Sequence, residues 1–372
     1  MLKRIYIDNF KCLVNFELKV DSVNLFLGSN GVGKTTLFQA LHKLQQFIID
    51  DKTATELFEP TSLTRWQNSS TQSFELEIAG NGGVYKYSLV IEHQCEQERS
   101  RMQQERLWFN DKLLFDFNID EEITGIAQLY RDDGSKGPEY HFDWSRSGIA
   151  VLPERADNTK LTWFKKRIAQ FLIVRINPTL MSSESRKEET NPTWEMSNYV
   201  AWFRYLSQDQ GTIFELTQEL RKILPDFKAF KIISAGEAKI LSVDFFNQSE
   251  QSINYKFDEL SDGQRVLIVL YTLLHYMSAD YTLCLDEPEN FLALPEIQPW
   301  LDELYDKCEN HDVQALLISH HPKIINYLAS ETGYWFSRQQ NNGPVRVQHV
   351  TDEDDTGLSI AELVAREWIY DD

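Results

Sequence analysis

An α/β fold with a mixed sheet, an antiparallel β lobe and a helical insertion is what this sequence predicts, and three observations predict it. The apolar run Val23-Asn24-Leu25-Phe26-Leu27 leads directly into Gly28-Ser29-Asn30-Gly31-Val32-Gly33-Lys34-Thr35, after which Leu37, Leu41, Leu44 and Ile48 share one face at helical spacing. From Phe74 to Phe117 apolar and polar residues alternate with period two, the mark of half-buried strands. Beyond residue 255 short apolar strands alternate with helical stretches, as in a sheet covered by helices.

The elements follow in order. In the alternating region, Phe74 to Ile78 and Tyr85 to Ile91 flank Asn81-Gly82-Gly83, while Leu107 to Phe109 and Leu113 to Phe115 flank Asn110-Asp111, so both pairs read as hairpins. The stretch from His93 to Gln104, rich in Glu, Gln and Arg, predicts an exposed loop or short helix. Residues 184–230 combine a polar run, Glu184 to Asn191, with helical segments containing Trp194, Tyr199, Trp202, Phe203, Phe214, Leu216, Leu220 and Leu224, the last ended by Pro225. Sustained heptads are missing there, so a helical lid or arm is expected rather than a long coiled coil. Leu260 to Met277 and Ile297 to Lys307 are expected as helices, Thr282 to Leu285 and Ala315 to Ser319 as strands. Tyr334 to Arg338 and Val345 to Val350 are set to pair across Asn341-Asn342-Gly343. Ser359 and Glu362 form a capping box for a terminal helix that would dock Leu363, Val364 and Trp368. The expected division is 1–180, an N-terminal half with the glycine loop and the β lobe; 181–255, the helical insertion and return strands; and 256–372, the C-terminal half.

Composition narrows the class. The chain has 372 residues, long enough for two or three lobes with a buried core, and its 42% hydrophobic content is that of a folded globular protein. Subtracting 37 bases from 57 acids leaves a net charge of −20, which disfavours coating DNA or anionic membrane by charge alone. Any nucleic-acid contact is therefore local, with Lys165-Lys166-Arg167 the candidate cluster and a solvated helix face its plainer reading. The four cysteines are scattered without metal-site spacing, as suits a reducing cytoplasm. Neither an apolar signal segment nor a run of about 18 apolar residues is present, so no membrane partner is expected.

Four motifs carry chemistry. Gly28 to Thr35 fits G-x-x-x-x-G-K-[ST]: backbone N–H groups of the glycine loop wrap phosphates, Lys34 supplies a cation to the β- and γ-phosphates, and the Thr35 hydroxyl ligates Mg²⁺. The strand Tyr281 to Leu285 ends in Asp286-Glu287-Pro288, where Asp286 can hold Mg²⁺ and Glu287 can orient and deprotonate the attacking water. The plainer reading is that both carboxylates cap the next helix. Leu260-Ser261-Asp262-Gly263-Gln264 is a capping box by itself, with Ser261 as N-cap and Gln264 three residues on. The strand from Ala315 ends in Ser319-His320-His321-Pro322, and either histidine could be structural or could sense a terminal phosphate.

With these residues in place, the chain resembles the ABC-type AAA family ATPases related to RecF, SMC and OLD proteins, especially the compact stand-alone bacterial branch with a DEPEN Walker B. The resemblance rests on Asp8-Asn9-Phe10-Lys11, Gly28 to Thr36, Leu260 to Arg265, Asp286 to Asn290 and Ser319 to Pro322. It implies a P-loop NTPase fold like an ABC or SMC head, with ATP and Mg²⁺ as ligands. It places Gly28, Asn30, Gly31, Gly33, Lys34, Thr35 and Thr36 on the nucleotide, Thr35 and Asp286 on the metal, and Glu287, Lys34 and His320 in the catalytic roles. His320 fits better than His321 because the family proline stands two positions after the histidine. Ser261, Gly263 and Gln264 become a signature loop that meets the ATP of a second protomer. Head-to-head homodimerisation on ATP follows, in anti-phage defence or DNA-repair complexes beside a separate effector or nuclease. Asp262, where transporters carry glycine, and the separation of 227 positions from Lys34 to Ser261 argue against a transporter subunit. A non-catalytic ATP-binding scaffold is the other alternative. Gln170 is the candidate for the Q-loop glutamine.

Overall fold

The computed structural model describes residues 1–50, 52–94, 98–119, 125–310, 313–338, 343–350 and 360–365. In chain order its first strands are β1 (Leu2–Asp8), β2 (Phe16–Lys19) and β3 (Val23–Leu27), followed by helices α1 (Lys34–Ile49) and α2 (Ala54–Leu57). Six strands come next: β4 (Thr71–Gly80), β5 (Gly83–Gln94), β6 (Arg99–Phe109), β7 (Lys112–Ile119), β8 (Gly125–Tyr130) and β9 (Lys136–Phe142). Then come α3 (Gly148–Val151), α4 (Thr159–Ala169), β10 (Phe171–Val174), β11 (Glu184–Ser185), α5 (Tyr199–Leu206) and α6 (Gln210–Ile223). Strands β12 (Phe227–Ala235), β13 (Ala238–Phe246) and β14 (Ser252–Lys256) lead to α7 (Asp262–Tyr276), β15 (Thr282–Asp286), α8 (Leu294–Asn310) and β16 (Gln314–Ile318). The chain continues through α9 (Pro322–Thr332), β17 (Gly333–Arg338), β18 (Val345–His349) and α10 (Ile360–Ala365). Two compact units result: Met1–Phe171 with Asp280–Thr282 and Ile325–Asp372, and Leu172–Ala279 with Leu283–Ile324. This division cuts the chain at points other than the expected boundaries, and residues 256–372 are shared between both units.

The first unit is built on an eight-stranded antiparallel sheet in the order β2-β1-β4-β5-β6-β7-β8-β9. Asn81 and Gly82 (φ 52° and 77°) and Asn110 and Asp111 (φ 46° and 61°) are left-handed in their turns, the geometry that lets a two-residue loop follow strand twist. Phe74, Leu76, Ile78, Tyr85, Tyr87, Leu89 and Ile91 all point into the core, as their alternation predicts. Of the loop or short helix expected at 93–104, residues 93–94 and 99–104 are instead strand: β5 runs to Gln94 and β6 starts at Arg99, with Glu92 opposite Arg101 and His93 opposite Ser100. The polar inward pair hid the alternation, since His93 Nδ1 and Ser100 Oγ satisfy each other at 2.9 Å while Arg101 Nη2 pairs with Glu92 at 2.7 Å on the other face. The same unit holds β3, wholly buried, with β17 parallel beside it and β18 antiparallel beyond.

Lys165-Lys166-Arg167 is not a free basic surface. Arg167 is 1% exposed and donates to Thr282 Oγ1, Lys165 Nζ donates to the Ala150 and Leu152 carbonyls, and Lys166 pairs with Glu154. Arg167 thus serves the interior and Lys165 the carbonyls of its own unit, which leaves Lys166 as the exposed cation of the three.

The second unit contains β10, β15 and β16 side by side in that order, each buried along its length. Helix α7 is buried from Val266 to Leu274, and the Trp300 indole of α8 donates to the Leu270 carbonyl at 2.9 Å. The insertion is only partly helical. Trp194 lies outside α5 and α6, Pro225 follows the end of α6, and β12–β14 form an antiparallel sheet with β11. In the first unit β17 and β18 pair as expected, although Asn341 and Asn342 lie outside the described residues. Helix α10 exists and its Ala361 N–H reaches Asn326 Oδ1 at 2.9 Å. The expected cap at Ser359 and the docking of Leu363, Val364 and Trp368 fall outside what is described.

Candidate functional site

In the first unit the loop after β3 is shaped by close packing. A Cβ on Gly28 would stand 2.3 Å from the Phe336 carbonyl oxygen, so only glycine lets the chain leave β3 alongside β17. Gly33, at φ 120°, is the N-cap of α1, with Cys12 Sγ and Val345 Cγ2 where its Cβ would be. That N-cap offers no side-chain hydrogen bond, and no acid stands in the first turn of α1. The N-cap position of this helix thus contributes backbone only. Lys34 is 5% exposed and its Nζ donates to the Gly28 and Ser29 carbonyls at 2.6 and 3.1 Å, which puts an ammonium inside the loop. Asn30 and Gly31 form the exposed tip, and Thr35 and Thr36 begin α1 half-buried, Thr36 Oγ1 facing Cys12 Sγ at 3.8 Å.

In the second unit three buried strands bring their ends together. Asp286, 1% exposed, ends β15, and the next residue, Glu287, takes the left-handed conformation at φ 52° while its N–H bonds the Ile318 carbonyl that ends β16. A non-glycine residue held there stores strain, a feature that clusters at functional sites. Among the described residues the Glu287 carboxylate has three neighbours. Asn290 Nδ2 donates to Oε2 at 2.9 Å, Arg175 Nη2 reaches the same oxygen at 3.5 Å, and His320 Nε2 stands 3.9 Å from Oε1. Glu289 Oε1 accepts from Ser319 Oγ at 2.7 Å and from the His320 N–H at 2.9 Å, fixing the strand end that carries His320. His321 turns elsewhere, its Nδ1 accepting the Lys323 N–H at 3.2 Å.

The signature segment lies in the same unit and is a complete capping box. Ser261 Oγ accepts the Gln264 N–H at 3.3 Å, and Gln264 Oε1 accepts the Ser261 N–H at 3.1 Å. Asp262 pairs with Arg265, whose Nη1 also donates to the Pro178 carbonyl at 2.6 Å. Gly263 lies against the Phe291 carbonyl, an added Cβ standing 2.9 Å from its oxygen.

Sequence reasoning missed Arg175. It follows β10, whose four residues are all buried, and a cation immediately after such a strand was the available signal. Gln170 instead ends α4 and gives its carbonyl to the Thr282 N–H at 3.2 Å. The donors suit the ligands that the motifs imply. Glycines at close backbone approaches, a glycine N-cap and an enclosed ammonium suit a polyphosphate. The Thr35 hydroxyl and Asp286 carboxylate are hard oxygen donors suited to Mg²⁺. No group of three or more His, Cys, Asp or Glu that could hold a metal occurs among the described residues, and Mg²⁺ typically needs only one or two protein oxygens beside substrate phosphates.

Such a loop, on a strand-to-helix turn, defines the P-loop ATPase class. Residues 23–326 match the family described as "AAA domain, putative AbiEii toxin, Type IV TA system", and the chain belongs to that family. Among solved structures it is similar to the SMC head domain from Thermotoga maritima, at 13% identity over 94% of this chain and 98% of that one, with a TM-score of 0.48. It is also similar to the SmcHead bound to the C-winged helix domain of ScpA, at 9% identity over 95% and 98% of the two chains, with a TM-score of 0.56. The second likeness carries the fold: an SMC-head-like P-loop NTPase. No curated protein matches.

Proposed function

We propose that the chain is a Mg²⁺-dependent ATPase that works as a nucleotide switch, binding and hydrolysing ATP in a site completed by a second copy. The observation that carries this reading is the start of α1, where Gly28, Gly31 and Gly33 shape a loop around the Lys34 ammonium and glycine is the N-cap. Lys34 binds the β- and γ-phosphates, and Thr35 and Asp286 hold the metal. When bound, Mg²⁺ neutralises charge on the transferring phosphoryl group. Glu287 takes a proton from water, His320 senses the terminal phosphate, and Ser261 with Gly263 and Gln264 serves the ATP of the second copy. No described helix is long and apolar enough to cross a membrane. The family description, with its toxin and type IV system, supports a separate partner protein and a task in defence, where a DNA-repair-type complex is the companion reading.

The test is Glu287→Gln, which keeps the side chain's shape and removes the base. Turnover should fall about 10²–10⁴-fold, and with ATP and Mg²⁺ light scattering should show the variant at twice the monomer mass. Undiminished hydrolysis would sink the assignment of the base, and a monomer under those conditions would sink the dimer switch.

A further inference from the structure

The two oxygens of Glu287 are unequally occupied. Oε2 receives Asn290 Nδ2 at 2.9 Å from the same turn and Arg175 Nη2 at 3.5 Å from the end of a strand 112 residues away. Among the described residues Oε1 faces only His320 Nε2, at 3.9 Å, beyond hydrogen-bond reach. A carboxylate oxygen that accepts two donors has little left with which to take a proton, while its fellow keeps its lone pairs.

Arg175 is well placed to hold such a bias. Its backbone N–H is pinned to the Trp194 carbonyl at 2.7 Å, and the four residues before it are buried strand, so the base of the side chain is fixed. The guanidinium itself is half exposed, 49% against 26% for the Glu287 side chain, and Glu287 is its one ion-pair partner among the described residues. An exposed ion pair adds little stability, so fold stability is a poor explanation for this contact.

We propose that Arg175 is a positioning residue which, with Asn290, tethers Oε2 and leaves Oε1 as the oxygen that accepts the proton of the attacking water. This rests on the reading of Glu287 as the base. In the step, one water O–H bond breaks and its proton passes to Oε1. The water oxygen bonds the terminal phosphorus as the P–O bond to the leaving ADP breaks, and the leaving oxygen keeps that electron pair. Arg175 touches neither water nor phosphate; it acts through Glu287.

The experiment measures kcat and KM for ATP in Arg175→Ala, Arg175→Lys and the parent chain, then repeats Arg175→Ala in a Glu287→Gln background under single-turnover conditions. Removing the tether should lower kcat about tenfold with KM within about twofold, and lysine, which keeps the charge, should recover most of the loss. In the Gln background, where no base remains to be positioned, the further loss should be under about twofold. An equal loss in both backgrounds, a loss carried by KM, or lysine no better than alanine would each show a structural role and overturn the proposal. If Glu287→Gln turns over like the parent chain, the base reading falls and this inference with it. If Glu287→Gln is impaired while Arg175→Ala keeps the parent's kcat, only the positioning role falls.

Discussion

The starts of α1 and α7 meet the same physical problem in opposite ways. Each helix begins with N–H groups that lack partners inside the helix. At α7 the chain supplies them itself, Ser261 and Gln264 closing a reciprocal box and Asp262 placing an acid in the first turn. At α1 the N-cap is Gly33, which offers no side chain, the first turn holds no acid, and Lys34 brings positive charge to the end that is already positive. Local stability would favour the first arrangement everywhere. The second suits a helix start that receives an anion, which supports the proposal that α1 is the primary phosphate site. A phosphate reaching α7 must instead exchange with a cap already in place.

The sharpest break of this contrast is Lys34→Ala. It removes the ammonium held by the Gly28 and Ser29 carbonyls and leaves the loop glycines intact. Retained binding of a fluorescent ATP analogue would show that the backbone N–H groups suffice without the cation. We expect binding to weaken at least about tenfold, in line with the 1.5–3 kcal/mol of a charge-assisted hydrogen bond, and steady-state turnover to vanish.

A third helix start extends the comparison. Helix α3 is met by a carboxylate from another strand: Glu105 accepts from the Gly148 N–H at 2.8 Å, from Ser147 Oγ at 2.6 Å and from the Tyr87 hydroxyl at 3.0 Å. Complete burial nevertheless dominates and pushes its pKa up to about 7, against the lowering effect of those donors. A carboxyl whose folded pKa is raised binds its proton more tightly in the folded chain. Its contribution is thus fully present below the unfolded value of 4.5 and is lost as pH rises through about 7. Glu105→Gln cannot titrate. The stability of the parent chain relative to this variant, measured by urea unfolding, should therefore fall by on the order of 3 kcal/mol between about pH 4.5 and 8. A difference that stays flat, or rises with pH, would show that the donors outweigh burial.

What the sequence made legible follows the same physics. Local signals were reliable where geometry demands a residue type: Asn81-Gly82 and Asn110-Asp111 turn hairpins, Gly28 to Thr35 joins β3 to α1, and Ser261 with Gln264 caps α7. They failed where one buried polar group satisfies another across strands. His93 with Ser100 made a strand pair look like a loop, and buried Arg167 made an internal cation look like surface. Arg175 follows a buried strand, which marks its place, but its contact with Glu287, 112 positions on, is encoded by no periodicity. Between His320 and His321 the residues alone left a choice, whereas in the folded chain His320 is the one beside Glu287.

The smallest effects separate the two roles of Ser261. As a cap it accepts the Gln264 N–H, and Ser261→Ala should cost about 1 kcal/mol of stability. Aspartate is as good an N-cap as serine, so Ser261→Asp should hold stability within a few tenths of a kcal/mol of the parent, yet it places a negative charge where the signature would meet the phosphate of a second copy. If that meeting occurs, the Asp variant is stable and inactive; if Ser261 is only a cap, it is stable and active. Mixing then tells whether the loss acts across copies. When Lys34→Ala and Ser261→Asp chains exchange freely in equal amounts, half the dimers are mixed, and in each of these one site carries both lesions and the other neither. About a quarter of parental turnover should return if the two sites fire independently. No recovery despite proven exchange would confine Ser261 to its own chain or couple the two sites. ATP-dependent crosslinking from a cysteine placed at residue 261 decides between those, since only a signature that reaches the second copy's nucleotide gives a crosslink that appears with ATP and disappears in Lys34→Ala.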